Sequence, residues 1–161
     1  MSTHPQVDPR GLRVAAAITA VVLAVVLVLP SPAREIVLAA QVAVFATAVL
    51  FGLQASPYSV LFRTVIRPRI GAPKETEDAR PPRFAQFVGL LFTAGALTAF
   101  ALGGTTAGLV LTAFALVAAL LNAAVGLCLG CEMYLAFRRL THPTQQRTHT
   151  RPSAGTQEVT P

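Results

Sequence analysis

The chain has 161 residues, of which 53% are hydrophobic and only 12% charged, about half the charge of a soluble domain. Its formal net charge is +6, but no aromatic-rich basic motif accompanies the arginines, which argues against a nucleic-acid partner. So little charge cannot cover an ordinary soluble fold, and the lipid bilayer is the partner this composition needs.

Residues 1–11 read as a short polar arm. A membrane helix needs about 20 mostly apolar residues, and the first such stretch covers 12–29. It stops at Pro30-Ser31-Pro32, where prolines block continuation. The second span is predicted at 36–53, bracketed by Glu35 and Gln54. A cytoplasmic loop at 54–83 follows. Within it, Tyr58 to Arg67 reads as a short amphipathic helix with Arg63 and Arg67 one turn apart. That pattern suits a membrane–water interface, and it equally suits an extension of the second span. Residues 68–83 are rich in proline and charge and end in Arg80-Pro81-Pro82-Arg83. The third span is predicted at 84–102, before Gly103-Gly104, and the fourth at 107–129, with a possible continuation to Arg139. Residues 141–161 hold almost no apolar side chains and are expected to be disordered. The membrane domain is thus 12–140, an all-α membrane protein of four transmembrane helices arranged as two helical hairpins.

Charge orients these spans. Twelve of the thirteen basic residues lie at or before the start of the first span, between the second and third, or after the fourth; only Arg34 falls in the other loops. Positive loops stay in the cytoplasm, so a multi-pass protein of the cell membrane with both termini cytoplasmic is expected. The basic loops also suit anionic lipid heads. Arg10, Arg13, the apolar run and Ser31-Pro32-Ala33 loosely resemble a cleavable signal peptide, but the run is long for one and Pro32 sits inside the cleavage site.

The halves are alike. Pro9-Arg10 matches Pro82-Arg83, Thr19-Ala20 matches Thr93-Ala94, Gly52-Leu53 matches Gly126-Leu127, and Phe62-Arg63 matches Phe137-Arg138, at an offset near 74. Such a pattern suggests a parallel internal duplication, with an axis along the membrane normal. Asn122, Gly126 and Gly130 recur every four residues and, on a regular helix, make a narrow packing stripe. No acidic or basic residue lies in the middle of a predicted span, which argues against an ion-coupled transporter.

Cys128 and Cys131 are the only cysteines, three residues apart where the last apolar run ends. Two thiols at this spacing can be small hydrophobic filler, a redox or sulfur-relay pair, or half of a metal site. On a continuous helix they would sit near its C-terminal end, opposite the stripe, where the dipole opposes a thiolate. If a glycine breaks the helix, either thiol could cap a new one, and a thiolate would be favoured. Arg138 and Arg139 would stabilise a thiolate or persulfide, and Arg80 or Arg83 would help bind an anionic sulfur species. The cytosol keeps thiols reduced, so a persistent disulfide is not expected there. Four metal ligands are not in evidence, and no Gly-rich phosphate loop, paired-carboxylate site or Ser-His-Asp arrangement stands out, so no metal and no cofactor is predicted.

Asp8-Pro9-Arg10, Ser56-Pro57-Tyr58, Arg80-Pro81-Pro82-Arg83-Phe84-Ala85-Gln86, Leu120-Leu121-Asn122-Ala123 and Cys128-Leu129-Gly130-Cys131-Glu132-Met133-Tyr134 together resemble a bacterial integral-membrane family, domain of unknown function 4395, over roughly residues 6–140. The resemblance implies a small polytopic membrane protein without an established activity. Its relatives are associated with genes for thioredoxin-like and rhodanese-like proteins, which implies a cytoplasmic partner of that kind. Thiol–disulfide or sulfur transfer through the cysteine pair is the leading expectation. A non-enzymatic scaffold or small-solute carrier, with a structural or metal-binding pair, is the alternative. A homo-oligomer stays open.

Overall fold

The computed structural model describes residues 6–71, 73 and 76–141, with only the backbone described for Arg138, Arg139 and Thr141. The strand β1 (Gln6–Val7) leads into α1 (Pro9–Val28), and a tight turn leads to α2 (Ala33–Phe51). A 3-10 turn at Leu53–Ala55 precedes α3 (Pro57–Leu61), a π-turn at Phe62–Ile66 and α4 (Arg67–Ile70). The second half comprises β2 (Glu77–Asp78), α5 (Arg80–Ala101), α6 (Thr105–Val125) and α7 (Leu129–Thr141). The expected all-α fold is present, and α1, α2, α5 and α6 are each long and apolar enough to cross a membrane, which fits a multi-pass membrane protein. The expected tail disorder concerns 142–161, which lie outside the described residues.

The spans start two to four residues earlier than hydropathy predicts, because polar residues lie in their first turns. Asp8 Oδ1 accepts the Arg10 N–H at 2.9 Å, and Asp78 Oδ1 accepts the Arg80 N–H at 2.9 Å. Pro9, Pro81 and Pro82 follow in the first turns, where a missing N–H costs nothing. Just ahead of these turns β1 and β2 pair antiparallel, Gln6 opposite Asp78 and Val7 opposite Glu77. The residues read as a loop at 54–83 are therefore largely structured. The π-turn has a local cause. Pro68 cannot donate to the Thr64 carbonyl and its ring crowds that oxygen, so the preceding turn widens. The Thr64 hydroxyl donates back to the carbonyls of Val60 and Leu61 at 3.0 and 3.3 Å.

The bundle has two ends. One carries the turns between α1 and α2 and between α5 and α6. The other gathers the N-terminal arm, the segment 52–79 and the cysteines, and with them most of the basic residues. Arg34, the basic exception at the turn end, lies over the Phe100 ring at 5.1 Å and 3.9 Å from the Glu35 carboxylate. In lipid the apolar effect gives helices no reason to associate, so close packing must. Leu23, Val26, Leu38, Ala96, Phe100 and Ala115 form the core toward the turns. A Cβ built on Gly89 would lie 2.9 Å from the Phe45 ring, and one on Gly108 would lie 2.5 Å from the Phe100 ring. These glycines are the sockets for two aromatic rings.

Each long helix buries one polar side chain: Thr19, Gln41, Thr93 and Thr112. All four lie seven to nine residues from the turn end of their helices, about 12 Å at 1.5 Å per residue. Thr93 and Thr112 donate to the carbonyls of Gly89 and Gly108, each at 2.8 Å. Gln41 takes its partner from outside the spans. Gly52, with φ 95°, reverses the chain after α2, and the Tyr58 hydroxyl donates to Gln41 Oε1 at 2.7 Å. Burial raises the Tyr58 pKa above its ordinary value of 10.0. A raised folded-state pKa means that this group's stabilisation is complete below pH ~10 and is lost as pH climbs through the folded value. Tyr58→Phe should therefore lower the thermal midpoint in detergent at neutral pH, by the roughly 0.6 kcal/mol of an average intramembrane hydrogen bond or somewhat more. It should also flatten the alkaline fall in stability. A variant with wild-type midpoint and wild-type alkaline profile would show that the bond contributes nothing.

Candidate functional site

The last span does not run into the cysteines. Gly126 adopts the left-handed conformation, φ 72°, and closes α6 at Val125. Its N–H donates to the Asn122 carbonyl at 3.1 Å, and the Leu127 N–H donates to the Leu121 carbonyl at 3.3 Å. This is how a glycine ends a helix, since only a residue without Cβ takes that φ without strain. The predicted fourth helix therefore ends four residues too late, and it does not continue unbroken to Arg139. The Asn122-Gly126-Gly130 stripe is also not one face, because the helix breaks in the middle of it.

A new helix, α7, begins at Leu129, and Cys128 occupies its N-cap. The Glu132 N–H donates to the Cys128 carbonyl at 3.0 Å, which is the first turn of the helix. The Cys131 N–H donates to Cys128 Sγ at 3.4 Å, so the sulfur fills the place of a capping oxygen. The sequence left two geometries open, and the structure takes the capping one. The break falls at Gly126, however, and not at Gly130.

Capping also brings the sulfurs together. The Cα atoms are 5.1 Å apart and the two sulfurs are joined as a disulfide, where reduced thiols are the expectation for a cytoplasmic site. The separation lies within the range a disulfide spans. Both residues are half-buried. Glu132 is exposed in the first turn of α7.

Gly130 has a different role from the one the stripe implied. A Cβ there would lie 2.5 Å from Cα and 2.6 Å from Cβ of Ala85. The backbone of α7 thus crosses the first turns of α5 in direct contact. One turn on, the Tyr134 and Phe84 rings meet at 5.8 Å between centroids, tilted by 45°. Outward, α7 exposes Leu129, Met133, Phe137 and Leu140. A helix with one packed edge and an exposed apolar surface, placed after a span, suits the membrane–water interface.

The arginines are distributed otherwise than expected. Arg83 donates from Nε and Nη2 to the Val49 carbonyl at 3.0 and 2.6 Å. It is spent on the carboxyl end of α2, where a cation suits the helix dipole. Arg80 gives its backbone N–H to Asp78. Arg138 and Arg139 lie on α7 seven and eight residues beyond Cys131, ~10 Å along the axis, and their side chains are outside the description. The residue that sequence reasoning missed is Arg13. Its guanidinium lies over Gly126, so close that a Cβ on the glycine would stand 2.6 Å from Nη2. Arg13 on α1 thus attends the end of α6, as Arg83 on α5 attends the end of α2. A signal was available: Asp8-Pro9-Arg10-Gly11-Leu12-Arg13 and Asp78-Ala79-Arg80-Pro81-Pro82-Arg83 share aspartate, arginine and arginine at the same spacing. Matching Pro9-Arg10 to Pro82-Arg83 at an offset near 74 hid it, because here the shared offset is 70.

Among the described residues no group of three or more His, Cys, Asp and Glu side chains is placed to share a metal ion. The profile of the family described as domain of unknown function (DUF4395) matches residues 7–139. The chain belongs to this family. The match runs from β1 to the last turns of α7 and so takes in the cysteine pair, Arg13 and Arg83. A comparison with curated proteins and with solved structures found no significant match. What the DUF4395 domain does must therefore be argued from this site.

Proposed function

We propose that the chain is a membrane-embedded partner in thiol–disulfide or sulfur transfer, with Cys128 and Cys131 as the reacting pair at a cytoplasmic basic end. The observation that supports this reading is the sulfur of Cys128 at the N-cap of α7, accepting the Cys131 N–H. A helix N-terminus carries about half a positive charge, and thiols placed there become better thiolates and hence better nucleophiles. The helix thus supplies the stabilisation that the sequence assigned to Arg138 and Arg139. The disulfide between the two sulfurs is the other end state of the cycle.

In the reducing direction, the Cys128 thiolate attacks one sulfur of a partner disulfide. The partner S–S bond breaks, a Cys128–partner disulfide forms, and the freed partner sulfur takes up a proton. Cys131 then loses its proton, attacks Cys128 Sγ and expels the second partner sulfur. Two electrons pass from the pair to the partner, and the reverse sequence reduces the pair. A thioredoxin-like protein fits this exchange. A rhodanese-like protein would instead hand a sulfane sulfur to the Cys128 thiolate and leave with its own thiolate.

The positive-inside distribution supports a cytoplasmic site. Maleimide labelling of intact and permeabilised cells, before and after reduction, tests both parts. The pair should label only after permeabilisation, and more after reduction. Labelling of intact cells would place the cysteines outside and overturn the topology; no labelling even after reduction would sink the redox reading.

A further inference from the structure

We infer that a second site, in the first hairpin, binds the phosphate of an anionic phospholipid. A cavity of about 150 Å³ opens at the basic end between the start of α1 and the segment formed by α3, the π-turn and α4. Its wall carries Ser59, Arg63 and Arg67, while Val7 and Phe62 give it apolar surface. Neither guanidinium group has a hydrogen bond or ion pair among the described residues. Asp8 also borders the cavity. Its Oδ1 is taken by the Arg10 N–H, and its Oδ2 is buried with no hydrogen-bond partner among the described residues. Two guanidinium groups and a hydroxyl therefore remain to meet an oxyanion.

The position selects the kind of anion. The Phe62 ring packs on the first turn of α1, 3.0 Å from where a Gly11 Cβ would stand, so the cavity lies level with the end of a span. Headgroup phosphates occupy that level in a bilayer. On the same segment Val60, Leu61, Val65 and Ile70 are exposed, as side chains dipping into lipid would be. A lining that sets arginines beside apolar side chains suits a phosphate with a glycerol attached better than a fully hydrated ion. The π-turn carries both the ring and Arg63, and such turns recur at functional sites.

The test is a calorimetric titration of the full-length protein, in neutral detergent, with short-chain phosphatidylglycerol. Wild type should bind, and R63Q/R67Q should bind about 25-fold more weakly, the product of two arginines each contributing about a factor of five. R69Q, whose arginine does not border the cavity, should change the affinity little. R63K/R67K keeps the charge and should stay within a few-fold of wild type. An R69Q loss as large as that of R63Q/R67Q would reduce the effect to diffuse surface charge and overturn the site. Equal weakening by the lysine pair would mean that the segment had rearranged without regard to charge, and would overturn it too. Inorganic phosphate alone should not bind at the same concentrations. If it binds as tightly as the lipid, the lipid assignment fails.

Discussion

Cys131→Ser should trap a mixed disulfide through Cys128, and Cys128→Ser should not trap one through Cys131. The asymmetry follows from the helix, not from the spacing. Cys128 stands at the N-cap, where its sulfur accepts the Cys131 N–H; Cys131 lies within the first turn of α7. The electrostatic help of a helix N-terminus is concentrated in that turn and on the groups its free N–H bonds point at. Cys131→Ser keeps the backbone N–H that serves Cys128, so the remaining thiol keeps its cap. Cys128→Ser puts a hydroxyl into the cap and leaves Cys131 without it. Iodoacetamide reactivity at neutral pH should therefore be severalfold higher in Cys131→Ser, because a helix N-terminus favours the thiolate. The pH profile of alkylation should also lie lower for Cys131→Ser. If the two variants alkylate at the same rate with the same profile, the capping geometry does not set the chemistry and the assignment of Cys128 as nucleophile is lost. Glu132 works against the thiolate from the same turn, so Glu132→Gln should raise the rate in the Cys131→Ser background.

Gly130→Leu should detach α7 from α5. The atoms a side chain would strike are Cα and Cβ of Ala85, which belong to a helix and cannot swing aside as a long side chain can. Overpacking of this kind typically costs about 1–3 kcal/mol, and a leucine adds bulk beyond the Cβ that already does not fit. The Phe84–Tyr134 contact lies one turn away and should be lost with it. The expected result is a lower thermal midpoint in detergent and faster proteolysis after Leu127, with α1, α2, α5 and α6 still folded. Gly95→Ala is the matched control. Its Cβ would meet only Leu111 Cδ1 at 3.5 Å, and an alanine in mid-helix favours the helix by roughly 0.5–1 kcal/mol. A Gly130→Leu protein as stable and as resistant as Gly95→Ala would show that α7 does not depend on this contact.

If both results hold, structure and chemistry are joined at one short segment. The glycine at 126 ends the span, the thiol at 128 begins a helix, and the glycine at 130 presses that helix onto α5. Moving any of the three moves the sulfur pair relative to the membrane surface. Arg13 over Gly126 and Arg83 on Val49 hold helix ends in place and so position this segment.

Sequence and structure part company at specific residues. The interiors of the spans were readable because an apolar run of that length has few other uses. Their first turns were not: the stretches from Pro9 and from Arg80 are polar, yet they are helical once an aspartate just ahead accepts an N–H of the first turn and proline stands where no N–H is needed. Gly126 was misread for a related reason. In sequence, a glycine four residues from another looks like a packing stripe, and only its backbone angle tells a helix end from a contact.

Length, apolarity and the one-sided placement of arginines are properties of the chain read locally, and they were enough for four candidate spans, two hairpins and a cysteine pair near one surface. Which glycine ends a helix and which admits a neighbour, which arginine is spent on a carbonyl and which borders a cavity, and which sulfur receives an N–H were decided by the tertiary structure alone. Each of these depends on a partner that lies elsewhere in the chain or on a backbone angle, as when Gly130 meets Ala85 and Arg13 meets Gly126, and hydropathy records neither.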